Sequence, residues 1–501
     1  MNAPNPATYK LSKSRLMQHR QCPRRLWLFT HLPELAEDDL NAQAAMASGT
    51  NVGEVARTLY PEGVLIESGN LTDDLNVTTS LLNAAPRHLF EATLSANDVL
   101  VRVDLLLPTP TAAYRLVEVK SSTSVKQYHL DDAAIQTWVA QNAGVAIAGT
   151  DIAHINNQFT YLGGDDYAGL FTHTDISLQV AERLPQISGW INAAQSTLAG
   201  SEPEILPGAQ CNDPFSCPFI AHCQPVKTDA PEYPVTLLPR ASRVHRELLA
   251  AGYEDLRDVP DQMLNHPLHQ KIQRLSRSGS VEISPEGTTF ARNLPYPRYY
   301  LDFESISFAI PRWVGTRPYR QIPFQFSCHV EPCPGTLMPF SFLSSDGADP
   351  RRAFTEALIT AVNPEICTKS GQAPGPVLVY NAAFERSRIN ELAAAFPEFS
   401  EALTALNARI VDLLPVTRAN YYHPAMRGSW SLKAVLPTIG LDLDYAALAV
   451  ANGGMAQNAY LEIIAPQTPD EQKEKLRQDL LDYCALDTYG LVRLVERLAQ
   501  G

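Results

Sequence analysis

Hydrophobic and polar positions divide this chain into two long stretches of alternating strand-like and helix-like pattern, separated by a shorter helical one. Short runs rich in β-branched and aromatic residues mark strands, and apolar residues spaced three and four apart mark amphipathic helices. In the first stretch, VLVRVDLLL (99–107) and YRLVEVKSS (114–122) predict two strands joined by the turn-prone PTPTAA, hence a hairpin, and DDAAIQTWVAQNA predicts a helix after it. The middle stretch carries short helical patterns, SRVHRELLAAGY and DQMLNHPLHQKIQRLS. In the last stretch, RYYLDFESISF (298–308) and PVLVYNA (376–382) predict strands, the second running into a helix near Phe384 and Glu385. DLLDYCALDTYGLVRLVERL predicts a closing amphipathic helix. The expected fold class is α/β, with one domain in residues 1–227, a helical connector in 228–292 and a second domain in 293–501.

Composition agrees with that division. A chain of 501 residues is too long for one compact core. Its 45% hydrophobic and 19% charged residues are an ordinary globular mix, which argues against extensive disorder. No apolar run approaches the roughly 20 residues that span a bilayer, and the N-terminus lacks a hydrophobic signal core, so the expectation is a cytoplasmic protein with no membrane association. The net charge of −14 weighs against broad contact with phosphates. Local basic patches still occur. One holds Lys10, Lys13, Arg15, Arg20, Arg24 and Arg25; the other sets Arg312, Arg317 and Arg320 beside Trp313 and Tyr319. Interleaved basic and aromatic residues suit a stacked single strand, and a solvated face explains either patch equally well.

Candidate chemistry is concentrated in acidic residues. Residues two apart on a strand share a face, so Asp302 and Glu304 project together while Phe303 points away. Two carboxylates on an apolar strand repel each other and are costly to bury, a cost that Mg²⁺ or Mn²⁺ removes. Glu385 sits at a strand-to-helix junction, from which it can reach the tip of the first strand. Tyr483 and Asp487 are four residues apart on a helix and share its face. A carboxylate to complete a metal site and a phenol to orient or deprotonate water suit metal-assisted phosphodiester hydrolysis. Asp412, in the strand-like ARIVDLL, is a fallback ligand or a structural residue. In HPAMRGSWSLKAVLP (423–437), Arg427 or Lys433 could face phosphate, or the segment could be a packed loop centred on its tryptophan.

Asp302-x-Glu304, then YNAAFERSRI, then Tyr483-x-x-x-Asp487 resembles the three-motif pattern of the tyrosine-bearing DEDD exonucleases on the RNase H-like fold. The resemblance implies a 3′-directed exonuclease site in which Asp302, Glu304, Glu385 and Asp487 bind two metal ions and Tyr483 positions water. The chain departs from that pattern at Glu385, where the family has Asp.

The N-terminal hairpin supports a second site. Asp104 and Glu118 are expected level with each other across it, and Glu118 and Lys120 share one face. Acid, acid and lysine so placed can bind a metal and stabilise charge developing on a phosphate. Asp104, Glu118-Val119-Lys120 and Gln136 on the following helix resemble the PD-(D/E)xK nucleases, in particular the RecB-like branch on the restriction-endonuclease-like fold. That family also has an early metal-binding His or Glu, for which Glu54 is the nearest candidate. The aromatic usual four residues after the Gln is replaced by Ala140, with Trp138 nearby.

Of the eight cysteines, Cys328, Cys333, Cys367 and Cys484 are scattered and read as ordinary thiols. Cys22, in QCPRRLW, and Cys211-x5-Cys217-x5-Cys223 have the layout of the RecB-like members that carry one cysteine before the nuclease core and three after it. The resemblance implies a 4Fe–4S cluster on these four, with zinc as the alternative. The whole two-domain layout resembles a bacterial family of predicted nucleases. It implies a metal-dependent nuclease acting on nucleic acid, DNA with single-stranded ends foremost, in repair or defence. The alternative is a binding or scaffold protein whose sites no longer cut.

Overall fold

The computed structural model describes residues 11–37, 40–224, 230–363, 374–440, 443, 445 and 448–501. The chain is mixed α/β and divides into two compact units. One comprises residues up to Val226 with Phe308–Arg320, the other Lys227–Ser307 with Gln321–Gly501.

The N-terminal unit is built on a seven-stranded sheet. Its strands are β1 (Leu11–Ser12), β2 (Val64–Leu65), β3 (Leu89–Ala96), β4 (Val99–Pro108), β5 (Tyr114–Lys120), β6 (Ile147–Ile155) and β7 (Phe171–Asp175). The order is β2-β3-β4-β5-β6-β7, with β1 pairing parallel to β4. The expected hairpin is present as the antiparallel pair β4 and β5, in which Leu105 lies opposite Val117 and Leu106 opposite Leu116. β5 and β6 are parallel, a connection that needs a crossover. Helix α1 (Lys13–Gln21) and helix α2 (Pro23–His31) lie between β1 and β2, and α3 (Gln127–Asn142) is the crossover from β5 to β6. α3 buries Leu130, Ala133, Ala134, Ile135, Val139 and Ala140 against β4 residues such as Val101 and Val103. A further helix, α4 (Ser177–Ala199), adds Val180, Ile187 and Ile191 to the same core.

The C-terminal unit has a five-stranded sheet and a small two-stranded one, β8 (Glu282–Ile283) with β14 (Tyr421–Tyr422). The larger sheet contains β9 (Arg298–Ile306), β10 (Ile322–Glu331), β11 (Met338–Leu343), β12 (Val377–Val379) and β13 (Ile410–Asp412), in the order β11-β10-β9-β12-β13. β9 is central, antiparallel to β10 and parallel to β12. The chain runs from β9 outward to β10 and β11 and then returns to add β12 and β13 on the other side, so the strand order reverses between β9 and β12, where open α/β sheets place their sites. Helix α5 (Ala383–Ala395) follows β12, and the long helix α6 (Asp470–Gln500) packs on β9 and β10.

The stretch expected to be a connector, 228–292, is instead part of this second unit. Its apolar residues Leu248, Leu256, Val259, Ile272 and Leu275 share one core with Tyr300, Leu378, Leu491 and Leu494. Its amphipathic helices have an apolar face to bury, and the sheet supplies the other half. Among the described residues, no helix is long and apolar enough to cross a membrane.

Candidate functional site

Alternation along β9 does what its pattern requires. Phe303 is buried in the core with Phe326 and Phe354, so Asp302 and Glu304 share the opposite face. α6 presents Tyr483 and Asp487 one turn apart, both buried. Ligand oxygens of Asp302, Glu304 and Asp487 all lie within 4.8 Å of one another, and no other such trio of His, Cys, Asp or Glu is found among the described residues. Crowding and burial act together on their acidity. Burial, then Asp487, Glu304 and Glu385, hold Asp302 well above the usual carboxylate range. Burial and Asp487 push Glu304 up to about 8, while Lys433 works against the rise. Burial lifts Asp487 to about 6, countered by a hydrogen bond from Tyr445 and by Lys433.

Tyr445 and Lys433 complete this surround. The Tyr445 hydroxyl donates to Asp487 Oδ1. Its ring meets that of Tyr483 edge-on at 6.1 Å between centroids. Lys433 Nζ stands 5.3 Å from the centroid of Tyr445 and 5.5 Å from that of Tyr483. Of the two basic residues noted in 423–437, only Lys433 joins the acidic group. Arg427 donates to the Glu232 carbonyl at 2.8 Å, and Trp430 is buried with its indole N–H on the Tyr421 carbonyl. Tyr445 was not legible, because it lies in no motif and only folding brings it to α6.

Glu385 is buried in the first turn of α5, outside the close trio but near enough to raise Asp302. Burial above all, and Asp412, push its carboxyl to about 8. Its Oε2 is buried without a hydrogen-bond partner. Asp412 is structural: Oδ1 accepts from the backbone N–H groups of Asn381 and Leu414, at 3.0 and 2.9 Å, and Oδ2 from that of Ala382, at 3.0 Å. It thereby shapes the turn that delivers Glu385.

In the N-terminal unit the hairpin register runs on from Leu105 and Val117 to Asp104 and Glu118 as the next facing positions. Asp104 Oδ2 accepts from the Val119 N–H at 2.7 Å. Lys120 Nζ donates to Glu118 Oε1 and to Asp132 Oδ2, each at 2.6 Å. Gln136 Nε2 donates to Glu118 Oε2 at 2.5 Å and to Asp132 Oδ1 at 3.2 Å. Asp104, Glu118, Lys120 and Gln136 are thus brought together, and three residues join them that the sequence did not single out for this site. Lys13, read as part of a basic patch, reaches Glu118 at 2.9 Å and Asp132 at 3.3 Å. Asp132 lies one turn before Gln136 on α3. Glu91 falls opposite Asp104 across β3 and β4, since Phe90 pairs Leu105 and Ala92 pairs Val103. Glu54 is exposed.

Charge balance separates this site from the other. Burial, then Glu118, push Asp104 up to about 8. Burial would raise Asp132 too, but Lys120 and Lys13 outweigh it and hold that carboxyl below its usual range. Burial alone would lower Lys13, yet Asp132 and Glu118 raise it.

Cys22, Cys211, Cys217 and Cys223 line one small pocket with Arg25 and Leu28, and all four are free thiols. No three of their sulfurs lie within 4.8 Å of one another. Burial raises Cys217 and Cys223, with the neighbouring cysteines contributing. Cys367 lies outside the described residues.

The basic patches are largely engaged within the unit. Arg20 pairs with Asp131 at 3.0 Å and lies over Trp190, and Arg24 binds Glu202 at 2.6 Å. Arg25 donates to Gln21 and to the Ser216 carbonyl. Lys10 lies outside the described residues. In the second patch Trp313 is buried against Phe308, so it offers no ring for a base to stack on. Tyr319 donates its hydroxyl to the Ser121 carbonyl.

Residues 299–431 match a domain of unknown function, DUF2779. The match takes in Asp302, Glu304 and Glu385 and stops short of Tyr483 and Asp487. An uncharacterized protein of Ureaplasma parvum serovar 3, UU173, is 22% identical over 243 residues, 45% of this chain and 34% of that protein. The chain therefore spans about a third of the length of the curated relative it matches. Among solved structures, one titled crystal structure of SSO0001 shares 14% identity, covering 38% of this chain and 77% of that one, at a TM-score of 0.21. A score that low supports no statement about fold.

Proposed function

We propose that this chain is a metal-dependent nuclease, with a 3′-directed exonuclease site in its RNase H-like C-terminal unit and a RecB-like PD-(D/E)xK site in its N-terminal unit. The observation that carries the reading is the trio Asp302, Glu304 and Asp487, with ligand oxygens within 4.8 Å. Three carboxylates so close, each pushed up by burial, are unfavourable together unless protons or a cation intervene. All-oxygen donors of this kind fit Mg²⁺ or Mn²⁺. When bound, such an ion would polarise the phosphodiester and lower the pKa of water. The protein's own part is positional. Tyr445 keeps one oxygen of Asp487 engaged and so fixes that carboxylate. Tyr483, whose phenol burial and Asp487 hold above its usual range, keeps its proton and orients the attacking water. Lys433 faces the growing negative charge. The substrate class, DNA with single-stranded ends, follows from the family resemblance.

The test is degradation of strand-labelled DNA with Mg²⁺ or Mn²⁺. Asp302→Ala should abolish release of nucleotides from the 3′ end, a loss of at least about 100-fold. Products identical to those of the wild type would sink the C-terminal assignment.

A second reading, binding without cleavage, draws on Glu385, which stands outside the close trio with an unpartnered oxygen. DNA binding that persists in chelator, with no cleavage in any metal, would favour it.

For the cysteines we propose a 4Fe–4S cluster. What supports the reading is the family resemblance, together with the one small pocket that all four thiols line. Protein purified without oxygen should be brown with a broad visible absorption band, and a colourless sample containing zinc would overturn the assignment.

A further inference from the structure

We propose that the ammonium group of Lys13 holds the cation position of the N-terminal acidic site and has to leave before a divalent ion binds. The proposal rests on the reading of that site as a metal site. Every side-chain oxygen of Glu118 is already engaged: Oε1 takes Lys13 at 2.9 Å and Lys120 at 2.6 Å, and Oε2 takes Gln136 at 2.5 Å. Asp132 is engaged in the same way, with Lys120 at 2.6 Å on one oxygen and Lys13 at 3.3 Å on the other. Three of the roughly four acceptor sites of that carboxylate are therefore taken, two of them by ammonium groups whose charge opposes an incoming divalent ion.

The three donors are not equally free to go. Lys120 is two residues from Glu118 on the same strand and is tied to it by that strand's geometry. Gln136 is fully buried within α3. Lys13 comes from a different element, as the first residue of α1, just after the capping residue Ser12. A cation there opposes the helix dipole, so only the carboxylates favour its position. Its long flexible stem lets the ammonium swing out without moving the backbone.

A second observation points to an incoming ion. Gln136 Oε1 is fully buried and has no hydrogen-bond partner, although its amide nitrogen serves both Glu118 and Asp132. Buried acceptors left in that state call for an explanation, and an ion entering beside Gln136 would supply one.

The experiment is titration of the full-length chain with Mn²⁺, followed by loss of the free-ion electron paramagnetic resonance signal. An Asp302→Asn, Asp487→Asn background silences the C-terminal site. In that background Lys13→Met and Lys13→Gln should each bind one Mn²⁺ at least tenfold more tightly than the parent, and Glu118→Gln should abolish binding. A gain of affinity cannot come from misfolding. Affinity unchanged or weakened in both Lys13 variants, with the Glu118-dependent ion still present in the parent, overturns the role of Lys13 and leaves the site reading standing. No Glu118-dependent Mn²⁺ in any variant overturns both.

Discussion

At the scale of single residues, the acidic groups predict how the metal-free protein responds to pH. Glu304, Glu385 and Asp104 are each pushed up to about 8, against about 4 in an unfolded chain. A raised folded-state value means that the native protein holds protons the unfolded chain has already released. Stability from these groups is fully present below about pH 4 and is lost as pH rises through 8. Histidines with lowered values, such as His129 at about 4, act in the opposite direction, but only below about pH 6.5. Between about pH 6.5 and 8.5 the carboxyls are therefore decisive. The unfolding midpoint measured in chelator should fall across that window, and Mn²⁺ should raise it more at pH 8 than at pH 6.5. A midpoint that is flat or rises in chelator would count against the burial and crowding described for these groups.

At the scale of elements, the turn from β12 into α5 is where sequence pattern and structure meet most instructively. The strand, the helix and the place of Glu385 between them are legible, because a short apolar run passes directly into a helical pattern. The device that shapes the turn is less so. Asp412 lies about 30 residues downstream, and two of its three backbone partners, Asn381 and Ala382, are visible only once β13 is laid beside β12. Asn381, at the turn, has a φ of 73°, a conformation asparagine tolerates better than most residues. Asp412→Ala leaves three N–H groups without their acceptor and should cost about 1–2 kcal/mol in denaturant unfolding, in the range of a lost helix cap. Glu385→Ala should cost less or even stabilise the metal-free fold, since it removes a buried carboxyl with an unpartnered oxygen. The same contrast applies to the hairpin. Its alternation sets Asp104 and Glu118 level, whereas Lys13 reaches Glu118 from 105 residues away and no local pattern could announce it.

At the scale of the whole chain, what escaped the sequence reading was long-range assembly. A connector and a folded segment share the same amphipathic helices, and only the partner surface distinguishes them. Arginines in a row look like a phosphate-binding face until their partners arrive from distant segments, as Asp131 and Glu202 do. The N-terminal helices show what that implies in time. Leu28 of α2 is buried with Cys217 and Phe219, and Gln21 of α1 donates to the carbonyls of Gln210 and Phe215. Those partners are made roughly 190 residues later, which at ribosomal speed is on the order of 10–40 s. Until then the two helices have no finished surface to settle on, and their apolar faces are open to chaperones. The first elements of this unit to be made are among the last that can be completed.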